Sequence, residues 1–130
     1  MRLAIATVLL AGATTYSANV SVFNNTGATQ TLRGWIDFNR DGLFQVSEHA
    51  SVTVATGVSP QTATLNWTGL SGLVVGQSYL RLRFSDNALT DTVGTSVDER
   101  SIGVGNIGEV EDYSLPIAPV ITLSPQTMTV

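Results

Sequence analysis

The stretch SYLRLRFS, residues 78–85, alternates apolar and polar side chains. A period of two residues predicts a β-strand with one buried face. Its inward side chains are Leu80, Leu82 and Phe84, and its outward side chains are Tyr79, Arg81 and Arg83. The strand before it, TATLNWT at residues 62–68, carries a matching apolar stripe at Ala63, Leu65 and Trp67. Two such stripes predict two sheets that pack face to face.

Four further stretches are strand-like and bounded by turn residues: ANVSVF (18–23), TLRGWIDF (31–38), ASVTVAT (50–56) and GEVEDYSLPI (108–117). The first two flank the turn cluster NNTG and are predicted to form a hairpin. Residues 86–106 lack periodicity and are predicted to form a long loop. Since long runs of helix formers are absent, the fold is predicted to be all-β, an antiparallel sandwich of immunoglobulin or jelly-roll type.

Composition excludes several kinds of site. At 130 residues the chain is long enough for one domain with a core. All six positive charges are arginines, and they are scattered rather than clustered, so nucleic acid is not an expected partner. With no cysteine, and with His49 as the sole histidine, a disulfide framework or a zinc site is not expected. Any metal is therefore expected to be bound by oxygen.

Both ends of the chain are apolar and are treated as separate segments. Residues 1–17 begin with MRLAIATVLLAGA, which is typical either of a secretory signal or of a strand buried on both faces. Such a strand can complete its own sheet or pair with a neighbouring molecule. It is too short to span a membrane. Residues 118–130 are predicted to be a further strand or the start of a linker or following module, which leaves 18–117 as the sandwich.

A calcium loop is predicted where DFNRDGLFQVSE, residues 37–48, separates two strands. Its oxygen-bearing side chains stand at positions 1, 3, 5 and 12 of the calcium-loop pattern and are Asp37, Asn39, Asp41 and Glu48. Gly42 takes the sharp turn and Leu43 offers its carbonyl oxygen. A polar turn is the alternative, but it does not explain the position of Glu48. Because strands rather than helices flank the loop, the ion is expected to be structural, so chelation should lower the melting temperature by many degrees.

Two motifs together resemble those of the GEVED domain, a module of large secreted and surface proteins of bacteria. They are GWIDFNRDG at residues 34–42 and GEVEDY at residues 108–113, with YLRLRFS between them, and the resemblance extends from about residue 18 to residue 117. It implies an extracellular calcium-binding β-sandwich that acts in adhesion or as a spacer, with no established catalytic role. It also implies that acids of GEVEDY lie near the loop. Glu111 and Asp112 are the candidates, and an outward acidic strand paired with Arg81 and Arg83 is the alternative.

Other sites and functions remain open on the sequence. Acids and an amide in the long loop, Asp86, Asn87, Asp91, Asp98 and Glu99, are either a second cation site or solvated charges. Four aromatic residues are candidates for a carbohydrate-stacking platform: Trp35, Trp67, Tyr79 and Tyr113. No catalytic constellation surrounds His49, so an enzyme is not expected. A filament is the alternative to an adhesin module, in which an end strand (2–10 or 120–130) fills the groove of a neighbouring copy.

Overall fold

The computed structural model describes residues 1–4, 7–86, 89–91, 94–102 and 108–120. Within them the chain forms nine strands and two short 3₁₀ helices, Val46–Glu48 and Glu99–Ser101. The strands are β1 (Arg2–Leu3), β2 (Leu9–Leu10), β3 (Tyr16–Val22), β4 (Gln30–Ile36), β5 (His49–Val54), β6 (Gln61–Trp67), β7 (Tyr79–Ser85), β8 (Gly108–Ser114) and β9 (Ile117–Ala118). The prediction of an all-β chain is confirmed.

The strands form two antiparallel sheets of three and four strands. The first has the order β1-β3-β6 and the second the order β5-β4-β7-β8, while β2 pairs with β9 in parallel. A three-stranded and a four-stranded antiparallel sheet are consistent with the predicted β-sandwich.

The core lies between the inward faces of β3 and β6 on one side and β4 and β7 on the other. Alternation places its side chains as the sequence predicts, and Leu65, Leu80 and Leu82 are fully buried. Each buried leucine contributes about 2 kcal/mol of transfer free energy. Gly34 is required for close packing, because a Cβ there would lie 2.7 Å from Leu65 Cδ1 and 3.0 Å from Trp67 Cζ2.

The predicted hairpin of β3 and β4 is wrong. β3 pairs with β6, and β4 pairs with β5 and β7, so the chain crosses between the sheets at residues 23–29. Asn24 holds this crossing, since its buried Nδ2 donates to the carbonyl oxygens of Ala28 (2.8 Å) and Val54 (2.9 Å). Alternation identifies the buried face of a strand but not the neighbour with which it pairs.

The outer face of the second sheet is more buried than the sequence indicates. Arg83 lies on that face, as predicted, but it is only 6 % exposed. Residues 98–101 pack on this face, where the carbonyl oxygen of Arg100 accepts from Arg83 and that of Ser101 accepts from Arg81. The sheet is therefore covered on both sides over part of its area.

The N-terminal stretch pairs with strands of its own chain. Arg2 and Leu3 are antiparallel to β3, and Leu9 lies opposite Ile117, with both of these side chains buried in the core. Residues 121–130 lie outside the described residues. In the described part of the chain, no helix has the length and apolar character needed to cross a membrane.

Candidate metal centre

The loop from Asp37 to Glu48 connects β4 to β5 and gathers three carboxylates. Single oxygens of Asp37, Asp41 and Glu48 all lie within 4.8 Å of one another. Asp37 and Glu48 are 6 % and 3 % exposed, whereas Asp41 is exposed to solvent. The cluster is thus closed on the protein side and open on the other.

Side-chain to backbone hydrogen bonds fold the first half of the loop. Asp37 accepts from the backbone N–H groups of Asp41 (3.1 Å) and Gly42 (2.9 Å), and Asp41 accepts from Leu43 (2.9 Å). The side-chain carbonyl oxygen of Asn39, Oδ1, accepts from the backbone N–H of Asp41 at 3.2 Å. Each of these oxygens retains a lone pair for a further partner. Gly42 has a φ of +81°, which permits the reversal.

Glu48 closes the second half of the loop. Its two carboxylate oxygens accept from the backbone N–H groups of Phe38 (2.8 Å) and Gln45 (3.0 Å). The carbonyl oxygen of Glu48 accepts from the indole N–H of Trp67 at 2.9 Å in the core. Glu48 is therefore fixed from β6 as well as from its own loop.

The electrostatics of the cluster disfavour three free carboxylates. Burial raises the pKa of Glu48 to about 7, and the charges of Asp37 and Asp41 act in the same direction, against hydrogen bonds from Gln45 and Phe38. Burial also raises the pKa of Asp37 above its ordinary value, while hydrogen bonds from Gly42 and Asp41 oppose the shift. A proton or a cation would relieve this repulsion.

Arg40 anchors the loop to the connector before β7. Its Nε donates to the carbonyl oxygen of Gln77 at 2.8 Å and its NH1 to that of Val75 at 3.0 Å. Gly76 makes room for the guanidinium, because a Cβ there would lie 2.5 Å from Arg40 Cζ. Its φ of +136° also favours glycine.

Replacing Gly76 with alanine is expected to lower the free energy of unfolding by about 3 kcal/mol, since backbone strain is added to two displaced hydrogen bonds. Urea denaturation measures the loss. Gly72→Ala is the matched control, because Gly72 has a φ of +67° but open space around its missing Cβ. It should cost only about 1–2 kcal/mol. Equal losses would contradict the role of Arg40.

The acids of β8 have partners of their own. Asp112 forms a two-pronged ion pair with Arg81, with distances of 2.7 Å and 2.9 Å, and the Arg81 guanidinium lies 5.0 Å from the centre of the Phe44 ring. Glu111 accepts from the hydroxyl of Tyr113. The structure therefore does not bring Glu111 and Asp112 into the carboxylate cluster, although Asp112 and Asp37 line the same groove.

Two other predicted ligands stand at the rim of the loop. Asn39 is exposed, and its Nδ2 donates to Gln45 Oε1 at 3.1 Å, which leaves its carbonyl oxygen turned to the loop backbone. Leu43 is 37 % exposed and donates its N–H to Asp41. That Asn39 and Leu43 bind the calcium ion stays a prediction.

Asp98 is a structural residue, whereas the sequence left open whether it belonged to a second cation site or was a solvated charge. Its carboxylate is fully buried and accepts from Arg100 Nε (2.9 Å), Arg100 NH2 (2.7 Å) and the indole N–H of Trp35 (3.0 Å). The Arg100 hydrogen bonds help to hold the pKa of Asp98 below its usual value despite burial, which acts in the opposite direction. Asp98 is therefore not free to hold a cation, and Asn87 lies outside the described residues.

The four-ring carbohydrate platform is not formed. Trp35 and Trp67 are buried, and both indole N–H groups donate to protein oxygens, so neither ring can stack on a sugar. Only Tyr79 is an exposed large aromatic of the four, and Tyr113 is half-buried. The sequence could not distinguish these cases, because a tryptophan in a strand fits a core as well as a binding face.

The fold and this cluster define a class: an antiparallel β-sandwich with an acidic loop between two strands of one sheet and an acidic motif on an edge strand. The family model of the GEVED domain matches residues 31–116, about two thirds of the chain. The chain belongs to the GEVED domain family, as its motifs indicated. No curated protein and no solved structure matches it significantly.

Proposed function

We propose that this chain is a non-catalytic, calcium-stabilised module of an extracellular protein. The observation that supports it is the convergence of Asp37, Asp41 and Glu48 within 4.8 Å on a loop already folded by its own hydrogen bonds. A preformed cluster costs less conformational entropy on binding than a loop that must fold around the ion.

Calcium is the cation that suits these donors. The cluster offers carboxylate oxygens, with an amide oxygen at Asn39 and a carbonyl oxygen at Leu43 nearby in the chain, and oxygen-only sets are typical of calcium. Thiolate is absent from the chain, and imidazole is absent from the cluster. When bound, the ion would neutralise the mutual repulsion of the three carboxylates.

The position of the loop supports a structural role for the ion. Asp37 directly follows β4, Glu48 directly precedes β5, and the Glu48 carbonyl oxygen is held from β6 by Trp67. A cation shared by Asp37 and Glu48 would thus join the ends of two paired strands and, through Trp67, the opposite sheet. The module would be stiffened at one end, which suits a spacer or an adhesin under load.

The extracellular location and the adhesive or spacer role are proposed from the family and from the site. GEVED-like motifs are those of secreted and surface modules, and millimolar calcium outside cells suits extracellular sites with dissociation constants of about 10⁻⁴ to 10⁻³ M. Adjacent modules of a longer chain are the proposed partners. For the filament alternative, β1 and β2 pair within their own sandwich, so residues 2–10 are not free for donation in this arrangement. The other donor segment, 120–130, falls almost wholly outside the described residues, so strand donation from that end stays a prediction.

Calcium titration of the metal-free protein tests the proposal. Calorimetry should give one site, and the melting temperature should rise by roughly 5–10 °C at a hundredfold excess over the dissociation constant. Glu48→Gln should abolish both responses, because it removes a buried carboxylate from the cluster. Magnesium should bind more weakly than calcium, since it requires a smaller octahedral coordination shell.

Glu109→Gln is the matched control, since Glu109 is 56 % exposed and pairs with the N-terminal amine of Met1 instead of the loop. It makes the same chemical change and should leave calcium binding intact. A metal-free protein that neither releases heat with calcium nor melts later in it would contradict the proposal.

A further inference from the structure

The outer face of the second sheet carries a buried group of arginines. Arg33 on β4 lies directly opposite Arg83 on β7, and the two side chains are only 8 % and 6 % exposed. Like charges directly opposite each other on adjacent strands are destabilising, and burial weakens the screening by solvent. A negatively charged group is therefore expected to lie near these two guanidinium groups and to balance their charge.

Arg33 lacks the partners that a buried guanidinium needs. Its Nε and NH1 are both buried and make no hydrogen bond. To the described residues, Arg83 makes one long side-chain hydrogen bond, 3.3 Å from NH1 to the carbonyl oxygen of Arg100. On the neighbouring strand, the Nε2 of His49 is also buried and without a partner. Unpaired buried donors are costly, so such a group indicates a bound water or ion.

The acidic residues nearby do not balance the charge. Asp98 is paired with Arg100, and Asp112 with Arg81. Burial lowers the pKa of Arg33, the positive charge of Arg100 adds to this, and the charges of Asp98 and Asp86 offset it only in part. All ten acidic residues of the chain lie among the described residues, so the remaining segments hold no carboxylate side chain that could approach Arg33.

We propose that Arg33 and Arg83, with Arg100 beside them, bind a small monovalent anion, either chloride or a small carboxylate. Guanidinium groups present several N–H donors in a planar fork, which suits such anions. The limited exposure of both arginines restricts the ligand to a small one. This site lies on the outer face of the sheet and does not depend on calcium in the loop.

Thermal unfolding at constant ionic strength tests the site. The parent protein, in sodium gluconate with a fixed calcium gluconate concentration, is titrated with sodium chloride and separately with sodium acetate. A saturable rise in melting temperature is expected with at least one of them, because the ligand binds only the folded state. Which salt acts distinguishes the halide from the carboxylate.

Arg33→Met should abolish this rise and, in gluconate alone, should melt at the same temperature as the parent or higher, since it removes an unpaired buried charge. Arg2→Met is the matched control, because Arg2 is exposed on β1 and its loss should leave the anion response unchanged. Equal responses of the parent and Arg33→Met would overturn the proposal.

Diffraction provides a second readout that does not depend on a variant that folds. Crystals grown in sodium bromide should show an anomalous bromide peak within hydrogen-bond distance of Arg33 Nε or NH1. A water molecule at that position both in crystals grown in sodium bromide and in crystals grown in sodium acetate would overturn the proposal even if Arg33→Met failed to fold.

Discussion

Replacing Asp98 with alanine is expected to lower the free energy of unfolding by about 3–5 kcal/mol, which is the usual cost of removing one member of a buried ion pair. Asp98 is fully buried and its carboxylate accepts from Arg100 and from the indole of Trp35. The variant would leave the Arg100 guanidinium without its counter-ion and the Trp35 N–H without an acceptor inside the protein.

The loss should extend to the calcium loop. The backbone N–H of Asp98 donates to the carbonyl oxygen of Phe44 at 2.8 Å, so the segment that Asp98 organises is bound directly to the loop between β4 and β5. Urea denaturation measures the stability, and calcium calorimetry on the same variant should show weaker binding where the protein remains folded.

Asp112→Ala is the control for the Asp98 variant. Asp112 also forms an ion pair with an arginine at 2.7 Å, but its side chain is 51 % exposed, so its loss should cost about 0–1 kcal/mol. The two variants make the same chemical change at similar distances and differ chiefly in burial. Similar losses for both would contradict the argument that the buried pair organises the outer face.

The second large effect is the pH dependence of the calcium stabilisation. In the metal-free protein the pKa of Glu48 is raised by burial to about 7, from 4.5. Between these values the folded state holds a proton that the unfolded state lacks, so stability falls as pH rises from about 4.5 to 7. The shift corresponds to about 3 kcal/mol.

His49 opposes this trend. Burial, helped by the charge of Arg100, lowers its pKa from 6.5 to about 4. Between these values the unfolded state holds the extra proton, so stability rises with pH across that window, again by about 3 kcal/mol. The two contributions cancel over most of the range, and the metal-free protein should show a nearly flat profile between pH 4.5 and pH 6.5.

In the Glu48→Gln variant, the pH dependence of stability that His49 contributes should become measurable. Without a titratable group at residue 48, only the His49 contribution remains, and metal-free stability should rise by about 3 kcal/mol between pH 4 and pH 6.5. In the parent, saturating calcium should widen the difference from the metal-free protein as pH rises to 7, because the ion takes the place of the proton on Glu48. Protein freed of metal by resin avoids the pH dependence of chelators. Identical pH profiles for the parent and Glu48→Gln would refute the assignment.

Local patterns were sufficient for the strands and for the acidic loop. The alternation in residues 78–85 correctly places Leu80, Leu82 and Phe84 in the core, since the side-chain direction in a strand depends on its own backbone. The spacing of Asp37, Asp41 and Glu48 correctly predicted that their three carboxylates lie together, since one short loop contains them all. Arg40 had no such pattern, because its partners are carbonyl oxygens of residues 75 and 77.

The sequence by itself determined what depends on neighbours along the chain: an all-β class, the inward faces of β6 and β7, and an acidic loop between two strands. Only the tertiary structure decided that β3 pairs with β6 rather than β4, that Asp98 binds Arg100 and Trp35, and that Arg33 and Arg83 are buried side by side. The physical reason is that strand pairing and the burial of an outer face depend on contacts between residues far apart in the chain. The alternation of side chains along a strand has the same two-residue period whether its outer face meets solvent or is covered by another segment.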